Sequence, residues 1–513
     1  MVTTVEGTWL RAEPAVELVR LRPDGDGYAA EIDRPAAMRF REPIPVVAGT
    51  PVPAPGPDCD HVEVVDDRVS IVDSAGARWP LRRVVPPRGD AFAASCGWYE
   101  RDGCTVLLSQ IPEEYFGEPM YLIQEGDAVT RAYPLDEQHL VRADGQHVEL
   151  PTDDPTGRPT LRIGDRLLRK TERCLERQVS FTVGGEALAG TLIIPAGAGP
   201  HPAAVIVHGA AGGQRDSCRL FADALLDAGV AALIYDKAGH GSSQGASDPT
   251  IFDQADAVSA ALDVLAGLPE IDAGRIGMLG FSNGMWAAPI VAARRPDIAF
   301  LAGVGSPGVT MAEAEVHRRT KVLREAGIGD DTLAKVATAW RAIFAIAAEG
   351  AATEASTTRL ARLLAELSHE PELNSYEIPE YVRQNPILSP VPPQVPVADL
   401  IAMLTGQPSP ELAHDPAGDY RRLRCPVFLQ YGSEDTSVPV TASIERIAGA
   451  LPASHGPHSA IVVYPRLEHQ LNVLPDAVTG MSPEEAGYLF HQFRYGPRVK
   501  ADFTAWLRTA VRS

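Results

Sequence analysis

The sequence lacks the features that would direct it to a membrane or to a structural metal site. No apolar run approaches the roughly 18–20 residues that cross a bilayer, and the start, MVTTVEGTWLRAEP, has no basic segment followed by an apolar one, so no secretory signal is expected. The six cysteines are scattered without a Cys-x-x-Cys pair, so we expect reduced, packed thiols and no bound metal. These absences predict a cytoplasmic protein.

Positive charge is also scarce. The chain has 46 Lys and Arg against 67 Asp and Glu, for a formal net charge of −21. Nucleic acids and anionic membrane surfaces recruit basic patches, so we expect neither as a partner. The acidic residues are spread along the chain and are interpreted as a solvated surface. A homo-oligomer is compatible with this composition, but the sequence does not indicate one.

The pattern of apolar residues changes along the 513 residues, which are too many for one compact core. Residues 1–178 contain short alternating segments separated by turns and predict a β-rich domain. Residues 179–306 and 416–513 alternate apolar strands with helices, which predicts an α/β core around a mostly parallel sheet. Residues 307–415 are rich in helix and predict a cap inserted over the carboxyl edge of that sheet, where ligands bind in such folds.

Two segments fit the pattern Gly-x-Ser-x-Gly, which marks an activated serine at a turn between a strand and a helix. In GFSNG, Ser282 ends the apolar strand RIGMLGF and a helix follows at once. Gly280 and Gly284 supply the small neighbours that such a strained turn requires. In GSSQG, Ser243 lies in a loop of turn residues. We therefore predict that Ser282 is a nucleophile and that Ser243 is structural.

A serine hydroxyl is a poor nucleophile unless a base activates it and a carboxylate orients that base. In sheets of this type these groups follow later strands, in the chain order serine, acid, histidine. The strand CPVFLQYG is followed by Glu434 and Asp435, and the strand SAIVVYP by His469. Asp435 is favoured over Glu434 because it begins an Asp-x-x-Val-Pro turn. His469 is the predicted base.

The loop HGAAGG follows an earlier apolar strand and is the predicted oxyanion loop. His208 ends that strand, but it precedes the serine in the chain, so it is expected to shape the loop rather than act as base. A backbone N–H of Ala210, with Ala211 as the alternative, would pair with the N–H of Asn283 to hold a developing oxyanion.

These residues resemble the α/β-hydrolase superfamily, and look similar to bacterial esterases grouped with serine aminopeptidase-like and lysophospholipase-like hydrolases that carry an N-terminal β-domain. The matching segments are GPHPAAVIVHGAAGGQRD, IYDKAGHGSSQG, GFSNGMWAAP, DYRRLRCPVFLQYGSEDTSVP and EHQ. The resemblance implies Ser282 as nucleophile, Asp435 as acid and His469 as base, with Ala210 and Asn283 as oxyanion donors. It departs from the family at Met285, where a second glycine is usual, and at Ala210-Ala211, where Ser-Gly is commoner.

The expected function is hydrolysis of a small or medium carboxylic ester through an acyl-enzyme on Ser282, without metal or other cofactor. An amidase or peptidase, a thioesterase, or a lactone hydrolase or cyclase would use the same triad. A hypothesis of another class is a non-catalytic binding or scaffold protein with a vestigial site.

Two features of the predicted cap have alternative interpretations. An apolar stripe of Trp340, Ile343, Phe344 and Ile346 has helical spacing and would line an acyl pocket or pack the cap against the core. The pair Arg318 and Arg319 would bind a substrate carboxylate or form a solvated face, and the solvated face is favoured.

Overall fold

The computed structural model describes residues 7–13, 15–24, 27–34, 39–48, 60–65, 68–84, 95–111, 120–210, 213–376, 389–452, 458–473 and 492–512. The chain forms two compact units. The first comprises the described residues up to 174 together with 216–220 and 492–495, and the second comprises the rest. The sequence pattern assigns those two short segments to the core, but the structure groups them with the first unit.

Two small sheets form the amino-terminal part of the first unit. Their strands are β1 (Gly7–Arg11), β2 (Glu17–Asp24), β3 (Gly27–Arg34), β4 (Arg39–Ile44), β5 (Val46–Ala48), β6 (His61–Val65), β7 (Arg68–Val72), β8 (Arg78–Pro80) and β9 (Arg82–Arg83). One sheet has the order β4-β3-β2-β1-β9 and the other the order β5-β6-β7-β8. Side chains of both sheets, among them Val19, Ile32, Val62 and Ile71, share one hydrophobic cluster.

The rest of the first unit is a sheet that closes on itself. Its strands are β10 (Gly97–Arg101), β11 (Cys104–Ile111), β12 (Met120–Glu125), β13 (Ala128–Pro134), β14 (His139–Arg142), β15 (His147–Asp153), β16 (Pro159–Ile163) and β17 (Arg166–Lys170). Each strand pairs antiparallel with the next, and β17 pairs with β10. The strand Gln492–Arg494 adds to β13. Leu108, Ile123 and Leu161 lie in the buried cluster of this sheet.

The segment 216–220 is anchored in the first unit by buried polar contacts. The Gln110 amide donates to the Asp216 carboxylate at 2.9 Å, and the Ser109 hydroxyl donates to the Asp216 carbonyl. Arg219 donates to the same carboxylate at 2.7 Å. These partners satisfy a carboxylate that would be costly to bury alone.

The second unit contains an eight-stranded sheet of order β18-β19-β21-β20-β22-β23-β24-β25. Its strands are β18 (Cys174–Val183), β19 (Glu186–Pro195), β20 (His201–Val207), β21 (Ala231–Tyr235), β22 (Ile271–Phe281), β23 (Leu301–Val304), β24 (Val427–Gly432) and β25 (Ala460–Tyr464). β19 is antiparallel to β21, and the strands from β21 to β25 are parallel. The central strands are buried throughout, as parallel strands covered on both faces usually are.

Helices connect the parallel strands and form the cap. They are α1 (Arg219–Asp227), α2 (Ile251–Ala266), α3 (Gly284–Arg294), α4 (Met311–Glu325), α5 (Asp330–Glu349), α6 (Glu354–Leu367), α7 (Pro371–Asn374), α8 (Val397–Leu404), α9 (Ala417–Tyr420), α10 (Val440–Ala450) and α11 (Val499–Ala510). Helices α4 to α8 lie between β23 and β24 in the chain. The predicted α/β core, helical insertion and amino-terminal β region are therefore confirmed. In the described part of the chain, none of the helices is long and apolar enough to cross a bilayer.

The cap has its own hydrophobic cluster, which accounts for the apolar stripe as packing. Trp340, Ile343 and Ile346 are buried in that cluster. The Arg319 guanidinium lies 4.3 Å from the centre of the Trp340 ring, and Arg319 and its neighbour Arg318 both bind Glu315. The interpretation of the two arginines as a solvated face is therefore wrong, because an ion pair and an aromatic face compensate their burial.

Candidate active site

The turn between β22 and α3 holds Ser282 in a strained backbone conformation. Its φ is +49°, a left-handed value that few residues other than glycine adopt. The Ser282 N–H donates to the Val304 carbonyl on the neighbouring strand at 2.9 Å, which fixes the turn. Strain of this kind persists only where the surroundings enforce it, and it is concentrated at functional sites.

The two glycines of GFSNG are required for different steric reasons. A Cβ atom on Gly284 would lie 2.5 Å from the Val207 carbonyl oxygen and 2.6 Å from that of His208. A Cβ atom on Gly280 would lie 2.4 Å from the Met285 sulfur. Gly284 thus lets α3 begin against the backbone at the end of β20, whereas Gly280 makes room for a flexible side chain.

Met285, which stands where the family usually has a second glycine, fills a gap left by two strand glycines. Gly280 on β22 and Gly303 on β23 are partners in the sheet register. A Cβ on Gly303 would lie 2.5 Å from the Met285 methyl carbon and 2.7 Å from its sulfur. The side chain is fully buried, so this departure from the family packs beneath the turn.

The structure brings Ser282, His469 and Asp435 into one chain of hydrogen bonds. The Ser282 Oγ lies 2.8 Å from the His469 Nε2, and the His469 Nδ1 lies 2.7 Å from an Asp435 carboxylate oxygen. The Asp435 side chain is fully buried, and its other oxygen accepts the N–H groups of Ser437 and Val438, both at 2.9 Å. Glu434 is exposed and lies outside this chain.

Two neighbours confine the His469 ring, and sequence reasoning missed both. Gly305 follows β23 with a φ of +57°, and a Cβ there would lie 2.7 Å from the His469 Cε1. The Phe281 ring lies 5.2 Å from the imidazole, between ring centres. Gly305 could have been suspected from the sequence, because it is a glycine directly after a central strand, at the sheet edge where the predicted triad residues meet.

Buried polar groups hold the loop after β20, which is the predicted oxyanion loop. Lys237 donates from its ammonium to the carbonyls of Gly209 and Ala210, at 3.1 and 3.0 Å. The Gln254 amide donates to the His208 carbonyl at 2.8 Å. The His208 Nε2 donates to the Tyr235 carbonyl at 2.5 Å, and burial, with Lys237 nearby, lowers the pKa of His208 to about 3. At neutral pH His208 is therefore uncharged, and its ring is bonded to the backbone at the end of β21.

The orientation of the peptide between Gly209 and Ala210 bears on the oxyanion prediction. Its carbonyl faces Lys237, so its N–H, which belongs to Ala210, points the opposite way across a planar trans peptide. Gly209 lies against the turn that holds Ser282, since a Cβ atom on Gly209 would be 2.8 Å from the Phe281 ring. Asn283 directly follows Ser282, ahead of α3. Ala211, the alternative donor, lies outside the described residues.

Ser243 is a structural residue of the loop after β21. Its hydroxyl donates to the Asp236 carbonyl at 2.7 Å and accepts the Ala189 N–H at 2.9 Å. The Asp236 carboxylate accepts the N–H groups of Arg215 and Ser242, at 2.7 and 2.9 Å. The hydrogen bonds of GSSQG are therefore made to β19 and to Asp236, the residue directly after β21.

One cap residue that the sequence did not suggest lies within electrostatic reach of the triad. Burial lowers the pKa of His317, on α4, and Lys321 lowers it further, while the Asp435 carboxylate acts in the opposite direction. The beginning of α4 is fixed by Arg446 on α10, whose guanidinium donates to Glu313 at 2.8 and 2.9 Å.

The described residues contain no cluster of three or more His, Cys, Asp or Glu side chains placed to hold a metal ion.

The match to a known family falls on this site. The family model described as esterase FrsA-like matches residues 168–307. That segment contains the oxyanion loop, Lys237 and the Ser282 turn, and it ends before Asp435 and His469. Over these residues the chain is similar to that esterase family. The match indicates a hydrolase.

The chain has distant similarity to several solved structures. An esterase of Pyrococcus furiosus is 16% identical, with 66% of this chain and 91% of that chain covered and a TM-score of 0.37. A proline iminopeptidase of Mycobacterium smegmatis is 17% identical, with 66% and 99% covered and a TM-score of 0.36. A 2,6-dihydroxy-pseudo-oxynicotine hydrolase is 17% identical, with 65% and 68% covered and a TM-score of 0.38. No curated protein sequence matches the chain.

Proposed function

We propose that this protein is a serine esterase of the α/β-hydrolase type that hydrolyses a small or medium carboxylic ester through an acyl-enzyme on Ser282. The observation that carries the proposal is the continuous chain from Ser282 Oγ through His469 to the buried Asp435, at 2.8 and 2.7 Å. The strained backbone of Ser282 supports the same role, since it presents the hydroxyl above the beginning of α3.

The first half of the reaction acylates the enzyme. Ser282 Oγ attacks the ester carbonyl carbon while its proton passes to His469 Nε2, and the carbonyl oxygen becomes an oxyanion. Asp435 stabilises the imidazolium, and the N–H groups of Ala210 and Asn283 donate to the oxyanion, each worth roughly 3 kcal/mol. When the oxyanion collapses, the ester C–O bond breaks and the leaving alkoxide takes the proton from His469.

The second half returns the enzyme to its starting state. His469 takes a proton from water as that water attacks the acyl carbon, and a second oxyanion forms in the same hole. Its collapse releases the carboxylic acid, and Ser282 recovers a proton from His469. The step needs no oxidant, reductant or further co-reactant.

The test is covalent labelling of the full-length chain by a fluorophosphonate, followed by a substrate panel. Wild type should be labelled on Ser282, and His469→Ala should be labelled far more slowly. A panel of p-nitrophenyl esters should be turned over faster than aminoacyl-nitroanilides. Turnover of the anilides alone would replace the esterase by an amidase or peptidase, and an unlabelled wild type would favour a non-catalytic binding protein.

A further inference from the structure

The loop that carries His469 is folded in an unfavourable way on both sides of that residue. Arg466 and Leu471 have φ values of +60° and +64°. For residues other than glycine, such a conformation is unfavourable and needs support from its surroundings. Leu467 and Val473 form an isolated bridge that closes the loop around the histidine.

The carboxyl group of Glu468 supplies that support from inside the loop. One of its oxygens accepts the N–H groups of Gln470 and Asn472, at 2.8 and 2.9 Å, so a single side chain holds the backbone directly after His469. Glu468 is only 2% exposed. An amide oxygen would accept the same two bonds without burying an acid, so the bonds alone do not explain a glutamate here.

The loop that carries His469 also packs against the loop that carries Asp435. A Cβ atom on Gly432 would lie 2.1 Å from the Leu467 carbonyl oxygen and 2.4 Å from that of Glu468. The Glu434 N–H donates to the Leu467 carbonyl at 2.9 Å. Any movement of the Glu468 backbone would therefore shift His469 relative to its acid.

We propose that Glu468 is a positioning residue for His469, fixing its loop and, through its negative charge, favouring the imidazolium that forms when Ser282 loses its proton. The inference rests on the proposed function, because it assigns a partner to the proposed base.

Among the described residues, His469 and Asp435 shift the pKa of the Glu468 carboxyl in opposite directions. Burial raises the pKa of Glu468 to about 7, and the Asp435 carboxylate raises it further. The two backbone N–H bonds and the His469 imidazole act to lower it. The carboxyl therefore changes its charge in the same pH range in which an ordinary histidine does.

The experiment measures the rate and pH dependence of fluorophosphonate labelling of full-length variants that pass a thermal-melting check. Glu468→Gln keeps the acceptor oxygen and removes the charge. We expect the midpoint of its pH profile to move about 0.5–1 unit toward acid, because an anion near His469 is lost. We also expect its maximal labelling rate to fall a few-fold, because a weaker base remains.

Three further variants separate positioning from charge and from general stability. Glu468→Ala removes the acceptor as well, so its maximal rate should fall at least about tenfold with an unchanged probe affinity. Glu468→Asp keeps the charge, but its side chain is too short to accept both N–H groups. Its maximal labelling rate should therefore fall, while the midpoint of its pH profile should match that of wild type. Glu434→Gln removes an exposed carboxylate beside Asp435, and its profile should match wild type because solvent screens that charge.

Glu468→Gln with a wild-type midpoint, or Glu468→Ala with a wild-type rate, would overturn the proposal. Should Glu468→Gln fail to fold, Glu468→Ala, which also removes the charge, provides the test: a midpoint shifted toward acid would support the proposal, and a wild-type midpoint would overturn it. A wild-type enzyme that is not labelled at all would instead overturn the proposed function.

Discussion

Gly305 faces the imidazole of His469 so closely that a Cβ atom on this glycine would lie 2.7 Å from the Cε1 of the ring and 2.9 Å from the Nδ1. The ring is thereby held between the end of β23, the Phe281 side chain and the Asp435 carboxylate. Three strand ends thus determine the direction in which Nε2 points, and that direction leads to Ser282.

The first prediction follows from this contact. Gly305→Ala should reduce the labelling rate about 100-fold, because displacing a catalytic group by about 1 Å has an effect of that size. The change should also cost roughly 1–2 kcal/mol of stability from its positive φ. Gly327→Ala is the matched control, since Gly327 also has a positive φ (+88°) but a Cβ atom added there would meet nothing within 4 Å. A similar loss of labelling in both variants would contradict the steric account.

The second prediction distinguishes the two Gly-x-Ser-x-Gly serines. Ser282→Ala should abolish fluorophosphonate labelling without a large change in melting temperature. Ser243→Ala should still be labelled, but it should lose about 1–3 kcal/mol of stability, because it removes the two hydrogen bonds that the Ser243 hydroxyl makes with the Ala189 N–H and the Asp236 carbonyl. Mass-spectrometric mapping of the labelled peptide checks both outcomes, and a label on Ser243 would refute the assignment.

The third prediction concerns Gly280 and Gly284, the two glycines of GFSNG. An alanine in the first turn of α3 would ordinarily favour the helix by up to about 1 kcal/mol. Gly284→Ala should nevertheless destabilise the protein by roughly 1–3 kcal/mol and abolish labelling, because its Cβ would meet two backbone carbonyls. Gly280→Ala should be milder, since the flexible Met285 side chain has room to adjust. Melting temperature and labelling rate measure the difference, and equal effects would refute it.

The fourth prediction is a pH dependence of stability that arises from Glu468. Its folded pKa of about 7 lies above the ordinary value of 4.5, so between these values the folded state retains a proton that the unfolded chain releases. Stability from this group is complete below about pH 4.5 and is lost as pH rises through 7, by an amount on the order of 3 kcal/mol.

The measurement is the difference in unfolding midpoint between pH 5 and pH 8, compared between wild type and Glu468→Gln. The comparison is needed because His208 also makes stability depend on pH. Its folded pKa of about 3 lies below its ordinary value of 6.5, so it stabilises the fold above pH 6.5 and this contribution is lost as pH falls. Since the variant cannot titrate at position 468, wild type should lose more stability than the variant toward pH 8. Parallel pH dependences would show that the Glu468 carboxyl is not shifted.

The pattern of apolar residues was sufficient to predict the layers of this fold. The strand and helix periods of residues 179–306 follow from burial on both faces of a parallel sheet, and β20 to β23 occur where that pattern places them. Helix α2, Ile251–Ala266, begins where Thr250 and Asp253 form a capping box.

Local sequence was also enough to select Ser282, Asp435 and His469 as candidates, since Ser282 directly follows a strand and the other two lie in the loops after later strands. It was misleading for Arg318 and Arg319, because charge by itself indicates solvent exposure. Only the packing of α4 against α5 provides the Trp340 ring that covers Arg319. The roles of Gly305, Lys237 and Glu468 were likewise not evident from local sequence.

One physical cause explains why some features could be predicted from the sequence and others could not. Periodicity, chain order and turn residues are properties of neighbouring positions, so the sequence by itself determined the strands, the helices and the three candidate triad residues. Contacts such as Gly305 against His469, or Lys237 against the carbonyls of Gly209 and Ala210, join positions far apart in the chain. They exist only once the sheet has brought the strand ends together, so only the tertiary structure decided which residues hold the site in place.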